Sequence, residues 1–162
     1  MSLVRVHVGG MAIDSQTQSH VVILSEEQGD RFLPIWIGSA EAYSIAMALG
    51  GVVAPRPNSH DLVANMVDAL GGTLTKVVIS ELHDSTFFAQ IFVRRANELV
   101  CLDARPSDSI ALALRAKAAL YISDAVPMYS KDQMHGGESS DVDELRRKLK
   151  EIRPEEFGHY EL

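Results

Sequence analysis

Three groups of polar residues stand where helices are expected to begin, and their types are those of phosphoryl chemistry: Glu41; Arg56 with His60 and Asp61; and Arg105 with Ser107 and Asp108. Carboxylates can bind a divalent metal such as Mg²⁺ or Mn²⁺, an imidazole can take a proton from water, and a guanidinium can grip a phosphate. In that reading His60 is the general base, and Glu41, Asp61 and Asp108 share the reaction centre as a metal-binding set. Arg105, Ser107 and Arg56 then hold the phosphate. The plainer reading is capping, since acidic residues in a first turn complement the helix dipole and Ser or Asp satisfies orphan N–H groups. Arg105 fits capping less well. A cation beside a helix N-terminus opposes the dipole unless an anion, or a carboxylate such as Asp103 or Asp108, lies between them. Spacing alone does not bring the three helix starts together, and neither an H-E-x-x-H metal pattern nor a phosphate-cradling glycine loop is present. His7, His20, His83, His135 and His159 are scattered and read as surface or internally satisfied residues.

The elements that must position these groups follow from pattern. Pro106 suits the first position of a helix and pushes Arg105 toward an extended conformation, so a strand ends near Asp103 and a helix begins at Pro106. From Ile110 to Leu120 that helix is apolar on every side except at Arg115 and Lys117, as a buried helix is. Glu41 to Leu49 is a second, short, buried-type helix stopped by Gly50-Gly51. Asn58 or Ser59 caps a third, running from about His60 to Leu70, with Leu62, Val63, Met66, Val67 and Leu70 as its apolar face. Strands are expected at 4–8 and 11–13, joined by a turn or bulge at Gly9-Gly10, then at 20–24, 32–37, 73–82, 85–95, 98–102 and 120–122. Pro34 points to an edge position for its strand, and His83-Asp84 to a hairpin turn.

Ser44-Ile-Ala-Met-Ala-Leu49 and Ser109-Ile-Ala-Leu-Ala-Leu114 lie 65 residues apart and differ at one position. The same offset sets Ile35-Trp-Ile37 on Val100-Cys-Leu102 and Met11-Ala-Ile13 on Lys76-Val-Val78. This reads as an internal repeat of a strand-strand-strand-helix unit, about 4–50 and 69–115, with Glu41 at the place of Pro106. The expected fold is therefore α+β, with a mixed, largely antiparallel sheet and buried helices, over a domain of residues 1–128. Residues 129–140 read as a flexible linker and 141–162 as an amphipathic helix, whose Val142, Leu145, Leu149 and Ile152 form a narrow stripe. Buried-type helices and that stripe point to a homo-oligomer, a dimer first of all.

With 162 residues, 46% of them hydrophobic and 23% charged, the chain has the composition of a globular domain. Its formal charge of −7 argues against a broad basic face for a polyanion, although a local basic patch is compatible with it. Cys101, alone in the apolar run Leu99-Val-Cys-Leu102, reads as a buried strand residue, which rules out an intramolecular disulfide or cysteine zinc site. No run approaches the roughly 20 apolar residues of a membrane span, and the N-terminus reads as a strand rather than a signal peptide. A cytoplasmic protein without a membrane partner is expected.

Leu33-Pro-Ile-Trp-Ile-Gly-Ser-Ala-Glu-Ala42, Arg56-Pro-Asn-Ser-His-Asp-Leu62 and Asp103-Ala-Arg-Pro-Ser-Asp-Ser-Ile-Ala-Leu-Ala-Leu114 resemble motifs of the bifunctional nuclease family, a domain formerly of unknown function. The similarity runs from about Val4 to Pro127. The resemblance implies a nuclease acting on both DNA and RNA, and Glu41, His60, Asp61, Arg105, Ser107 and Asp108 stand in the matching motifs. The rival reading is a non-enzymatic regulatory module whose helix N-termini hold an anion or a partner's carboxylate. A purely oligomeric scaffold is the third.

Overall fold

The computed structural model describes residues 2–130, 147 and 149–152. Three antiparallel strands open the chain: β1 (Leu3–Asp14), β2 (His20–Glu26) and β3 (Arg31–Ile37). The expected break at Gly9-Gly10 is a bulge inside one continuous β1, with the register slipping between Val8 and Gly10. A Cβ on Gly9 would lie 2.2 Å from Ser25 Oγ and 3.0 Å from its Cβ, so a side chain there would require Ser25 to shift. Helices α1 (Ser39–Leu49) and α2 (Ser59–Ala69) follow, then β4 (Gly72–His83), β5 (Thr86–Arg95), β6 (Glu98–Ala104), α3 (Pro106–Ala116) and β7 (Ala119–Ser123). Asp84 and Ser85 both take positive φ, 47° and 61°, which turns the β4–β5 hairpin one residue later than the expected His83-Asp84.

The strands form one mixed sheet in the order β6-β5-β4-β7-β1-β2-β3, with β4 and β7 its parallel pair. Two short pieces complete it. Tyr129–Ser130 (β8) pairs with Arg31 and Phe32 of β3, so Pro34 lies on the open part of that edge, as expected. Leu149–Ile152 (β9) pairs with Met11–Asp14 of β1, past the point where β7 ends. Here the structure departs from the expected linker and helix. Leu149 and Ile152 had the spacing of a helical stripe, but β1 leaves unpaired backbone groups over 11–14, and a strand satisfies them. The rest of the 129–140 and 141–162 assignments lies outside the described residues.

The helices share one face of the sheet: α3 packs on β4 and β5, α1 lies beside it against β2, and α2 rests on α3 and the start of β4. Ile45, Ile110, Val77, Ile79 and Ile122 are fully buried between these layers. Both halves run strand-strand-strand-helix, and at the 65-residue offset the two helices differ in where they begin and end by two residues. Ser44 is the sixth residue of α1, whereas Ser109 is the fourth of α3, and Glu41 is third in its helix where Pro106 is first. Two expectations of burial are corrected. Helix α2 has no fully buried residue, and Leu62, Val63, Met66 and Leu70 are exposed because nothing described lies over its outer side. Cys101 is exposed because β6 is an edge strand that the helices do not reach. Among the described residues, no helix is long and apolar enough to cross a membrane.

Candidate functional site

Each helix start is built by local chemistry that its sequence announces. Pro106 is the first residue of α3, and Arg105, extended at φ −68° and ψ 145°, is its N-cap. Asn58 caps α2: its side chain accepts from the Asp61 N–H at 3.2 Å, and Asp61 Oδ2 accepts from the Asn58 N–H at 3.0 Å. With α1 and α2 both against α3, the three N-terminal regions meet.

They meet through one continuous chain of polar contacts. The Arg105 guanidinium donates from Nε to Asp108 Oδ2 at 2.7 Å and from Nη2 to Asp108 Oδ1 at 3.0 Å, and it also reaches Glu41 Oε1 at 3.0 Å. Of the two carboxylates that the dipole argument offered, Asp108 is in place beside the cation, and its second partner is Glu41 rather than Asp103. Asp108 Oδ1 also lies 2.9 Å from His60 Nε2, and His60 Nδ1 lies 2.7 Å from Ser44 Oγ. Because an ionised Asp108 only accepts, Nε2 carries the proton, and Nδ1 of a neutral ring accepts from the Ser44 hydroxyl. Arg115 closes the chain on the other side. It donates from Nη2 to Ser44 Oγ at 3.1 Å and from Nη1 to the Ser44 and Ala111 carbonyls at 3.3 and 3.0 Å, and its Nε pairs with Asp61 Oδ1.

Exposure divides this network. Arg105 is 65% exposed and Asp108 29%, while the His60 side chain keeps 15% and Ser44 is buried beneath it. The outer end can meet a ligand, whereas the inner end is packing. Arg56 is exposed in the connection before α2 and stands apart from this chain of contacts, and Ser107 is buried in the first turn of α3. Ser44 and Arg115 joined no candidate set in the sequence. A signal existed for Arg115, a cation on an otherwise apolar helix, which demands a carboxylate.

Burial alone would push the Asp108 and Asp61 carboxyls up. Hydrogen bonds from Arg105 and His60 to Asp108, and from Arg115 and the Asn58 N–H to Asp61, outweigh it and hold both below the ordinary value of 3.8. A carboxyl whose pKa is lower in the folded than in the unfolded chain contributes stability that is full above the unfolded value. That contribution is lost as pH falls through the folded value. Thermal melts should therefore show a Tm that is flat from pH 7 to about 5 and falls below about 4, with a shallower acid fall in Asp61→Asn and Asp108→Asn. An equally steep fall in both variants would contradict this account.

A divalent ion needs several oxygens free to converge on it. Here Glu41 and Asp108 are drawn to Arg105 and Asp61 to Arg115, and among the described residues no group of three or more His, Cys, Asp or Glu side chains is placed to hold a metal. In this arrangement the three carboxylates do not fit a metal centre.

Residues 22–134 match the family model described as the bifunctional nuclease domain. An uncharacterised protein of Mycobacterium tuberculosis is 42% identical over 121 residues, which cover 75% of this chain and 72% of that protein. Bifunctional nuclease 1 of Arabidopsis thaliana is 29% identical over 118 residues, 71% of this chain and 36% of its own length. Bifunctional nuclease 1 of Oryza sativa subsp. japonica is 26% identical over 113 residues, 68% and 34%. The matched part spans about a third of these plant proteins.

Proposed function

This chain belongs to the bifunctional nuclease domain family, and on that footing we propose that it hydrolyses phosphodiester bonds of DNA and RNA at the joined helix starts. The observation that carries the reading is the exposed end of the network, where Arg105, Asp108 and the edge of His60 stand together. Arg105 is the phosphate ligand, being the exposed cation of the cluster. In the arrangement described, both ring nitrogens of His60 are engaged, so the site is at rest. A phosphate competing for Arg105 releases Asp108 from the guanidinium, and Asp108 then turns from Nε2; the ring gives up its Nε2 proton to solvent and takes one at Nδ1, which now donates to Ser44 Oγ, so Nε2 faces the site as a bare acceptor. Water attacks phosphorus, the bond from phosphorus to the leaving oxygen breaks, and the proton of the attacking water passes to the bare Nε2 of His60. The leaving oxygen takes its proton from solvent. Divalent-metal assistance belongs to the test rather than to these steps, because the carboxylates are committed to arginines. The exposed thiol of Cys101 suits a reducing compartment, and the cytoplasm is the proposed place of action.

A second reading has an observation of its own: every carboxylate of the network already has a cation within the molecule, as a set of caps that fastens three helices would require. That describes the regulatory module, which holds an anion at Arg105 and cleaves nothing. Cleavage of single-stranded DNA and RNA by highly purified protein with Mg²⁺, Mn²⁺ or EDTA separates the two. On the nuclease reading, Arg105→Ala raises KM by about tenfold or more with a smaller change in kcat, because the guanidinium binds phosphate in ground and transition states alike. Absence of cleavage in every buffer, with phosphate or oligonucleotide still bound, would favour the module.

A further inference from the structure

The three helices at the site open alike, each with an acidic third residue: Glu41 in α1, Asp61 in α2 and Asp108 in α3. As first-turn acids all three complement a helix dipole. Their partners are unequal. Asp61 has Arg115, and Asp108 has the Nε and Nη2 groups of Arg105, so each arginine already holds a carboxylate without Glu41. Glu41 Oε1 shares Nη2 of Arg105 at 3.0 Å. With His60 neutral, the cluster among the described residues sets three carboxylates against two guanidinium groups, a surplus of one negative charge. That surplus lies at the open end, where Arg105 is the most exposed member.

Gly38 keeps the place for it. It is the N-cap of α1, extended at φ −70° and ψ 159°, a conformation open to any residue, and it gives the helix no side-chain cap. A Cβ there would run into the Glu41 carboxylate. The glycine therefore makes room for the carboxylate beside Arg105 rather than meeting a need of the backbone.

Resting on the nuclease reading of this site, we infer that Glu41 sets its specificity: the surplus charge admits the singly charged phosphodiester inside a strand and turns away the doubly charged terminal phosphate monoester. Both esters present two free oxygens to a guanidinium, so Arg105 can grip either with the same pair of hydrogen bonds. Charge is what separates them, since a monoester loses its second proton near about pH 6 and a diester has none to lose. Against a cluster of negative net charge the second charge is repelled. The same repulsion helps the reaction forward. Hydrolysis turns one diester and one water into a monoester and an alcohol, and the monoester left at a cut end is the ion that Glu41 rejects, so product does not hold the site.

Dimethyl phosphate, singly charged, and methyl phosphate, doubly charged at about pH 8, test this on the full chain, with the carbon-bound ring protons of His60 followed by NMR. Wild type should bind dimethyl phosphate about threefold more tightly than methyl phosphate. Glu41→Gln keeps the shape and removes the charge, and it should reverse the order, with methyl phosphate gaining about fivefold or more. Gly38→Ala displaces the carboxylate but leaves its charge in the chain, and it should fall between the two. Salt at about 0.5 M should shrink the wild-type preference, and circular dichroism should show all three proteins equally folded. A wild type that prefers methyl phosphate, or equal changes for both esters in Glu41→Gln, would overturn the inference and leave Glu41 a helix cap. Failure of both esters to bind beside His60, with or without cleavage of nucleic acid, would overturn it as well. The nuclease reading fails separately: charge selection intact without cleavage would support the role of Glu41 at a site that only binds.

Discussion

Replacing Arg115 with methionine is expected to cost about 2–4 kcal/mol of stability, read as a fall in Tm of roughly 5–15 °C. The size of the effect follows from what one guanidinium holds. It bonds the carbonyl of Ala111 in its own helix, the carbonyl and hydroxyl of Ser44 in α1, and the carboxylate of Asp61 in α2. Helix α2 buries no side chain completely, so its attachment depends on these polar contacts more than on apolar area. Methionine keeps much of the aliphatic length but leaves Asp61 a part-buried charge without its cation, and it removes a donor from the Ser44 hydroxyl. Removing both ends should hurt less than the two single losses together. Arg115→Met with Asp61→Asn is expected to recover a part of what Arg115→Met loses, as partners in direct contact do. A loss below about 0.5 kcal/mol for Arg115→Met would show that α2 is held by Ala64 and Val67 against the core rather than by charge.

This dependence on one arginine also marks where reading the chain ran short. Pro106 and the Asn58 cap placed two helix starts and Gly50-Gly51 the end of α1, because proline, capping side chains and glycine act through local backbone chemistry. The mixed sheet and its hairpins were legible for the same reason. Meeting of the helix starts was not, since His60 and Asp108 are 48 residues apart and only packing brings them to 2.9 Å. Ser44 was hidden inside an Ala-rich apolar run, where a single hydroxyl reads as a small core residue. Leu99-Val-Cys-Leu102 and the apolar row of α2 read as buried, because hydrophobic pattern reports which side chains leave water and not whether another part of the same chain covers them. An edge strand and a central strand can carry the same residues. Leu149–Ile152 failed for a related reason, the open backbone of β1 being a feature of the sheet rather than of the segment that fills it.

The largest expected effect on activity is that of His60→Ala, a fall of about 10²–10⁴ in kcat, equivalent to about 3–5 kcal/mol of transition-state stabilisation. Asp108→Asn should fall by a similar factor, since it removes the charge that orients the ring and holds Arg105 in place. Ser44→Ala decides how the network is used. Ser44, His60 and Asp108 form a chain of hydroxyl, imidazole and carboxylate, which on connectivity alone would make Ser44 a nucleophile. Burial argues otherwise: Ser44 is 5% exposed, below the ring and next to Arg115, so a phosphodiester has no path to its oxygen. Its hydroxyl is therefore a positioning group that pairs with Nδ1 and leaves Nε2 toward the open side, and Ser44→Ala should cost about tenfold or less, with no phosphoryl-enzyme visible by mass spectrometry. Loss of all activity in Ser44→Ala, with folding intact, would reverse that assignment and make water the second reactant rather than the first. If His60→Ala and Asp108→Asn cleave as fast as wild type while their Tm falls, the network fastens three helices and the cleavage, if any, lies elsewhere in the chain.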